Sequence, residues 1–189
     1  MRDRVIRDEI HRDILVPAHH ARIIDTHEIQ RLRNVQQLST CEFVFPSATH
    51  TRFAHSLGAY HLAGALTDSL QEVQPGLLSN DDAELVRLGA LLHDIGHPPY
   101  SHLLETPEVF ATYHSHEHWG RVMLEDTSSE IGQVLDEVLG KERKKRLFSI
   151  LDGASECDGV PIAPFLKEII SSQLDVDRMD YMIRDQANT

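Results

Sequence analysis

The segment LLHDIGHPPYSH, residues 91–102, places three histidines and an aspartate at the end of an apolar run. Imidazoles and carboxylates together can ligate a divalent metal and move protons near neutral pH. Adjacent helical side chains point about 100° apart, so His93 and Asp94 cannot share one face of a helix. At a helix end they can bracket a point beyond the terminus, where unpaired carbonyls and the negative dipole end favour a cation. A lone His-Asp pair is more often a surface hydrogen bond. This one follows a long apolar stretch and is closely trailed by His97 and His102. Two other segments could complete a metal site. THTRFAHSLG, residues 49–58, sets His55 on an otherwise apolar helical face with Arg52 one turn earlier. SSQLDVDRMDYMIRD, residues 171–185, sets four aspartates among apolar residues. There Asp177, Tyr181 and Asp185 follow each other at i,i+4 and share one stripe, while spacing alone leaves the direction of Arg178 open. Taken singly, each segment also fits a solvated charged face.

Helices must carry these groups. Asp25 or Thr26 can cap a first helix in which Ile29, Leu32, Val35 and Leu38 recur at helical spacing. STCEFVFPSATH reads as a β-rich connector, and a helix then runs from TRFAHSLG to the breaker Pro75-Gly76. Asn80 or Asp81 caps the apolar helix DDAELVRLGALLHD, which Gly96 and Pro98-Pro99 stop. Shorter helical pieces are predicted near 101–110, 115–126 and 130–150, a loop at DGASECDGVP, and a last helix over 163–187. Residues 1–24 read as an irregular arm or small β-hairpin, and residues 25–189 as one mostly α-helical domain.

Composition narrows the functions. With 41% hydrophobic and 25% charged residues among 189, the chain can bury a core. A net charge of −12 argues against a general grip on nucleic acid or an anionic membrane. The basic run Lys141 to Arg146 is read as a solvated helix face. An anionic substrate would therefore need a local positive site built from a metal and a few arginines. Cys41 and Cys157 form no CxxC pattern, which argues against a disulfide framework or a Cys-based zinc site, and a reducing cytoplasm is expected. Neither a membrane span nor a signal peptide is visible. Thirteen histidines lie scattered through the chain, unlike an end-bunched tag.

In order and spacing, His55, the His93-Asp94 pair and Asp177 resemble the H…HD…D signature of the HD superfamily. RLRNVQQL, FPSATHTRFAHSLG, HDIGHPPYSH, SHEHWG and DVDRMDYMIRD look like its deoxynucleoside triphosphate triphosphohydrolase (dNTPase) branch. The resemblance covers about residues 25–185 and implies an all-α HD-domain helical bundle. It implies that His55, His93, Asp94 and Asp177 bind one divalent metal, with Fe, Mn, Zn, Co, Ni and Mg left open. It implies catalytic roles for His97, His102 and His116, with Glu105 orienting His97 or His116 and His102 stabilising or protonating the leaving oxygen. Gln37 and Asp185 match residues that hold a deoxyribose 3′-hydroxyl. Tyr181 matches one that stacks below the sugar and excludes a 2′-hydroxyl, and Arg52 and Arg178 match phosphate contacts. Asp25 and Arg33 match positions that bind a guanine nucleotide effector in regulated relatives, although a helix cap and a surface charge explain them equally well. His114 and His118 are left to a solvated helix start. Relatives assemble as homo-oligomers, and the same is expected here.

The match has departures. Arg178 stands where relatives commonly carry Lys, and its fork can grip phosphate in two places. Members of that branch continue well past the final Arg-Asp, often through a His-x-Gly type segment that QANT does not resemble. A pocket more open on one side is therefore expected. Three functions stay in view: hydrolysis of a deoxynucleoside triphosphate to deoxynucleoside and triphosphate, an HD-type nucleotidase or general phosphatase, and a nucleotide-binding module with little turnover.

Overall fold

The structure, a computed structural model, describes residues 2–104 and 114–189. The chain opens with an antiparallel hairpin, β1 (Arg4–Asp8) and β2 (Arg12–Val16), in register from Arg4 opposite Val16 to Asp8 opposite Arg12. Alternation sets its faces: Ile14 and Val16 are fully buried, while Val5 and Leu15 face solvent. Pro17 starts α1 (Ala18–Ile24), a helix within the stretch expected to be an irregular arm or small hairpin. Ile14 and Val16 enter the same hydrophobic core as Ile23, Leu57, Leu88 and Leu91, so the hairpin is built into the bundle.

The expected helix from Asp25 to Leu38 is much shorter. It consists of α2 (His27–Gln30) and one 3-10 turn over Arg31–Asn34. Ile29, Leu32 and Val35 are buried as their spacing suggested. Yet Val35 is extended, and backbone bonds tie this strand-like stretch to the next helix's entry, Arg52 N–H to Val35 O (2.8 Å) and Gln37 N–H to His50 O (3.0 Å). Pairing across sequence thus overrides local helical periodicity. The connector predicted to be β-rich instead forms successive turns, with a 3-10 turn at Cys41–Phe43.

Two helices form the centre. In α3 (Arg52–Val73) Thr51 caps the N-terminus, its side chain accepting from Ala54 N–H. In α4 (Asn80–Leu92) the cap is Ser79, one residue before the expected one, with Asp81 and Asp82 in the first turn where the dipole favours them. Leu85, Leu88, Leu91 and Leu92 of α4 are buried, and truncating any one to alanine should cost about 2–5 kcal/mol. Around this pair lie α5 (His116–Glu125) and α6 (Glu130–Asp152), the latter kinked at Gly140 (φ 72°) and ended by left-handed Gly153. Within the expected loop, β3 (Glu156–Cys157) and β4 (Val160–Pro161) make a minimal ladder.

The single helix predicted over 163–187 is two, α7 (Phe165–Ile170) and α8 (Val176–Asn188). Asp175 causes the break. Its buried carboxylate accepts Arg178 N–H (2.7 Å) and Ser172 N–H (2.5 Å), competing with a continuous helix for backbone donors. The restart puts Asp177 in the first turn of α8, which packs on α3. Of the piece expected at 101–110, residues 101–104 form a 3-10 turn and the rest lie outside the described residues.

Candidate active site

Three helix ends or turns converge. His55 stands one turn into α3, His93 and Asp94 follow α4, and Asp177 begins α8. His55 Nε2 lies 3.1 Å from Asp177 Oδ1, 3.4 Å from His93 Nε2 and 3.7 Å from Asp94 Oδ2. His93 Nε2 lies 3.4 Å from Asp94 Oδ1 and 3.6 Å from Asp177 Oδ1. Ligands about 2.1 Å from a central ion stand roughly 3.0–3.4 Å apart at octahedral or tetrahedral edges. The ligand atoms of His55, His93 and Asp94 all lie within 4.8 Å of one another and Asp177 reaches both imidazoles, a donor set that suits one divalent ion.

Partners outside the four fix their aim. His55 Nδ1 is paired with Asp180 Oδ2 (2.8 Å) and His93 Nδ1 with Ala90 O (2.8 Å), which turns each Nε2 inward. Asp180 is fully buried and clamped by Arg184, Nε to Oδ2 and Nη2 to Oδ1, both 2.9 Å. His11 Nε2 adds a contact of 2.6 Å, and Arg184 Nη1 reaches Asp8 Oδ2 at 3.0 Å. Hence the hairpin reaches the partner of a candidate ligand. Gly58 makes room, since a Cβ there would stand 1.8 Å from Asp180 Oδ1. Arg31 donates to the carbonyls of Ile95 (2.5 Å) and His97 (2.7 Å), fastening the turn behind α4. In the sequence Asp180 is only one of four aspartates in its segment. Its i,i+4 spacing to Arg184 was the available signal, and the links to Asp8 and His11 had none.

The electrostatics favour positive charge. Burial opposes protonation of His55, yet Asp177, Asp180 and Asp94 outweigh it and raise its pKa to about 9. His93 is raised against its own burial chiefly by Asp94 and Asp177. Asp94 and Asp177 are correspondingly held below the usual carboxylate range, the neighbouring imidazoles overcoming desolvation. Two protonated nitrogens 3.4 Å apart would repel, whereas one divalent ion satisfies both lone pairs.

Beside this centre His97, His102 and His116 form a second cluster. The rings of His97 and His116 stack at 3.8 Å, and His102 meets them edge-on at 4.9 and 5.4 Å. His97 Nε2 is 3.3 Å from Asp94 Oδ1, and burial pushes its pKa down to about 4 although Asp94 pulls the other way. A glycine permits the docking of α5: a Cβ on Gly96 would lie 2.0 Å from the His116 carbonyl. Glu105 lies outside the described residues. A cavity of about 300 Å³ opens here, its lining including His93, Asp94, Asp177, His116, Arg121 and Lys167.

The residues matched to substrate contacts are spread more widely. Tyr181 is near His55, ring centroids 6.5 Å apart. Asp185 Oδ1 meets His50 Nε2 at 2.8 Å, and His50 O accepts the Gln37 N–H, so these three sit together. Arg52 is buried and turned inward, Nη1 to Asp94 Oδ2 (2.5 Å) and Nε to Ser101 Oγ (2.9 Å). Arg178 is exposed, 3.7 Å from Asp175. Asp25 pairs with Arg4 at 2.6 and 2.5 Å, and Arg33 lies 3.7 Å over the Phe53 ring. His50 was not singled out from sequence.

Residues 52–185 match the family described as HD domain. An uncharacterized protein of Methanocaldococcus jannaschii is 38% identical over 98% of this chain and 34% of its own length. The deoxynucleoside triphosphate triphosphohydrolase SAMHD1 of Homo sapiens is 37% identical over 96% of this chain and 33% of its own. The SAMHD1 homolog of Dictyostelium discoideum is 35% identical, covering 96% and 36%. The chain thus spans about a third of the length of these curated relatives. Among the described residues no helix is long and apolar enough to cross a membrane.

Proposed function

We propose that this chain, which belongs to the HD domain family, is a divalent-metal-dependent phosphohydrolase whose substrates are deoxynucleoside triphosphates. The observation that carries the reading is the approach of the two imidazoles to each other and to the carboxylates of Asp94 and Asp177, with every imidazole–imidazole and imidazole–carboxylate separation between 3.1 and 3.7 Å. Similarity to the triphosphohydrolases of Homo sapiens and Dictyostelium discoideum supports the substrate class.

A divalent ion held by His55, His93, Asp94 and Asp177 would supply Lewis acidity and activate water for attack on phosphorus. The chain's own groups do the rest. Asp180 fixes the His55 ring, and Arg52 holds Asp94 from behind. In the reaction the bond between the α-phosphorus and the 5′ oxygen breaks. The water oxygen ends on triphosphate, and the 5′ oxygen leaves with a proton. His102, an exposed side chain that stands edge-on to His97 and His116, supplies that proton. His97, neutral at pH 7, and His116 hold the phosphate chain, with Glu105 orienting one of them. Gln37, Tyr181 and Asp185 bound the sugar. Gln37 Oε1 and His97 Nδ1 are buried with no protein partner among the described residues, as groups awaiting a ligand would be. A guanine nucleotide effector at Asp25 and Arg33 and a homo-oligomeric assembly remain part of this proposal.

A second reading, a nucleotidase for smaller phosphates, is favoured by one observation. Arg52 is committed to Asp94 and Arg178 leans on Asp175, leaving fewer cations for three phosphates. Product analysis separates the two. With Mn²⁺ or Fe²⁺ present, each deoxynucleoside triphosphate should yield deoxynucleoside and intact triphosphate. Release of single phosphate supports the nucleotidase, and tight binding without hydrolysis across several metals supports a regulatory module.

A further inference from the structure

Another group of metal-ligating side chains lies where α1 meets α4, outside the site described above. His19 Nε2 and His20 Nε2 point at the same oxygen, Glu84 Oε1, at 2.8 and 3.0 Å. The candidate ligand atoms of all three residues lie within 4.8 Å of one another. Each side chain is held from outside. Tyr60, fully buried, meets His20 Nδ1 through its hydroxyl at 2.8 Å, and Arg143 Nη2 takes Glu84 Oε2 at 2.7 Å, leaving Oε1 free for a single bond. His19 is half-exposed and can rotate, while His20 is buried. Arg87 stacks over Tyr60 at 4.1 Å and donates to Leu15 O, and Asp81 neutralises Arg143 at 2.5 Å. A groove of about 290 Å³, with Asp68 on its wall, opens beside the three.

We propose that His19, His20 and Glu84 form a second divalent-cation site that clips α1 and the hairpin to α4. Two imidazoles and one carboxylate, with positions left open toward the groove, are the donor set of zinc-type sites and suit Zn²⁺, Co²⁺ or Ni²⁺ better than Mg²⁺ or Ca²⁺. Binding requires the lone pair of each Nε2. His20 then carries its proton on Nδ1 and donates it to the Tyr60 oxygen, the outer-partner arrangement common for metal-bound imidazole. Without a cation the same atoms make two N–H···O bonds to Glu84, with Tyr60 donating to His20. The N–O distances need open only slightly, by rotation of the exposed His19 ring.

The site is tested by equilibrium dialysis of the full chain against CoCl₂, with cobalt per chain measured by elemental analysis. Wild type should bind two equivalents, His19→Ala one and Asp177→Ala one, and the double variant none. His19→Ala should keep the wild-type melting temperature without added metal and its basal hydrolysis. Tyr60→Phe should weaken the His19-dependent equivalent roughly 10–100-fold. If His19→Ala binds as much cobalt as wild type, the second site is refuted. That result leaves the Asp177-dependent site untouched, so the failure of either reading is seen separately.

Discussion

His55 and His20 are both buried histidines bonded to a carboxylate, yet their pKa values move in opposite directions. His55 rises to about 9 and His20 falls to about 4. Desolvation is the largest influence on each and pushes both down. What differs is the company. His55 faces Asp94, Asp177 and Asp180, whereas His20 shares Glu84 with His19 and Arg143 and lies near Arg87. The number of carboxylates facing the ring, rather than burial, decides whether a buried imidazole attracts a cation strongly or stands neutral.

The most severe break in this comparison is Asp177→Ala. It should remove metal from the His55 centre and lower the hydrolysis rate by about 10⁴-fold or more, as loss of a core catalytic group does. Unchanged turnover in that variant removes the site assignment. His116→Ala should keep the metal and lose rate by about 10²–10⁴-fold, read from kcat beside elemental analysis. Loss of metal would make His116 a structural support of the centre instead. Asp180→Asn keeps the shape of its side chain but not its charge. Metal affinity at the His55 centre should fall roughly 10–100-fold, measured by competition with a chelator. An unaltered affinity means that the Asp180 network serves packing alone.

The gentlest test is acidification. A histidine whose folded pKa is depressed binds its proton more readily when unfolded, so its stability contribution is full above pH 6.5 and is lost as pH falls toward about 4. Replacing His20 by Gln should flatten the unfolding free energy across that window by on the order of 1 kcal/mol, discounted because solvent reaches the pair through His19. In metal-stripped protein, NMR should find the His55 ring still protonated at pH 7.5 and the His20 ring neutral. Finding both near 6.5 would erase the contrast.

Much of this was readable along the chain. The apolar run into His93-Asp94 and the glycine-proline stop mark both a helix and its end, and the short apolar runs before Pro17 fit the hairpin. The breaks were harder to see. Asp175 splits α7 from α8 through side-chain bonds to Ser172 and Arg178 N–H groups, and Val35 leaves the helix because Arg52 N–H takes its carbonyl. Helical spacing at Ile29, Leu32 and Val35 describes which face is buried, and says nothing of that distant donor.

Residue types and short-range order alone determined that this protein is helical, acidic and equipped with imidazoles and carboxylates at helix ends. Which of them face one another was settled only by folding. Asp180 and Arg184 are neighbours on one helical turn, but Asp8 and His11 join them from the far end of the chain. Arg52 lies one turn from His55, but Asp94 and Ser101, from another segment, set its direction. Local propensity depends on a residue and a few neighbours, whereas electrostatic company in a buried site depends on every element packed around it.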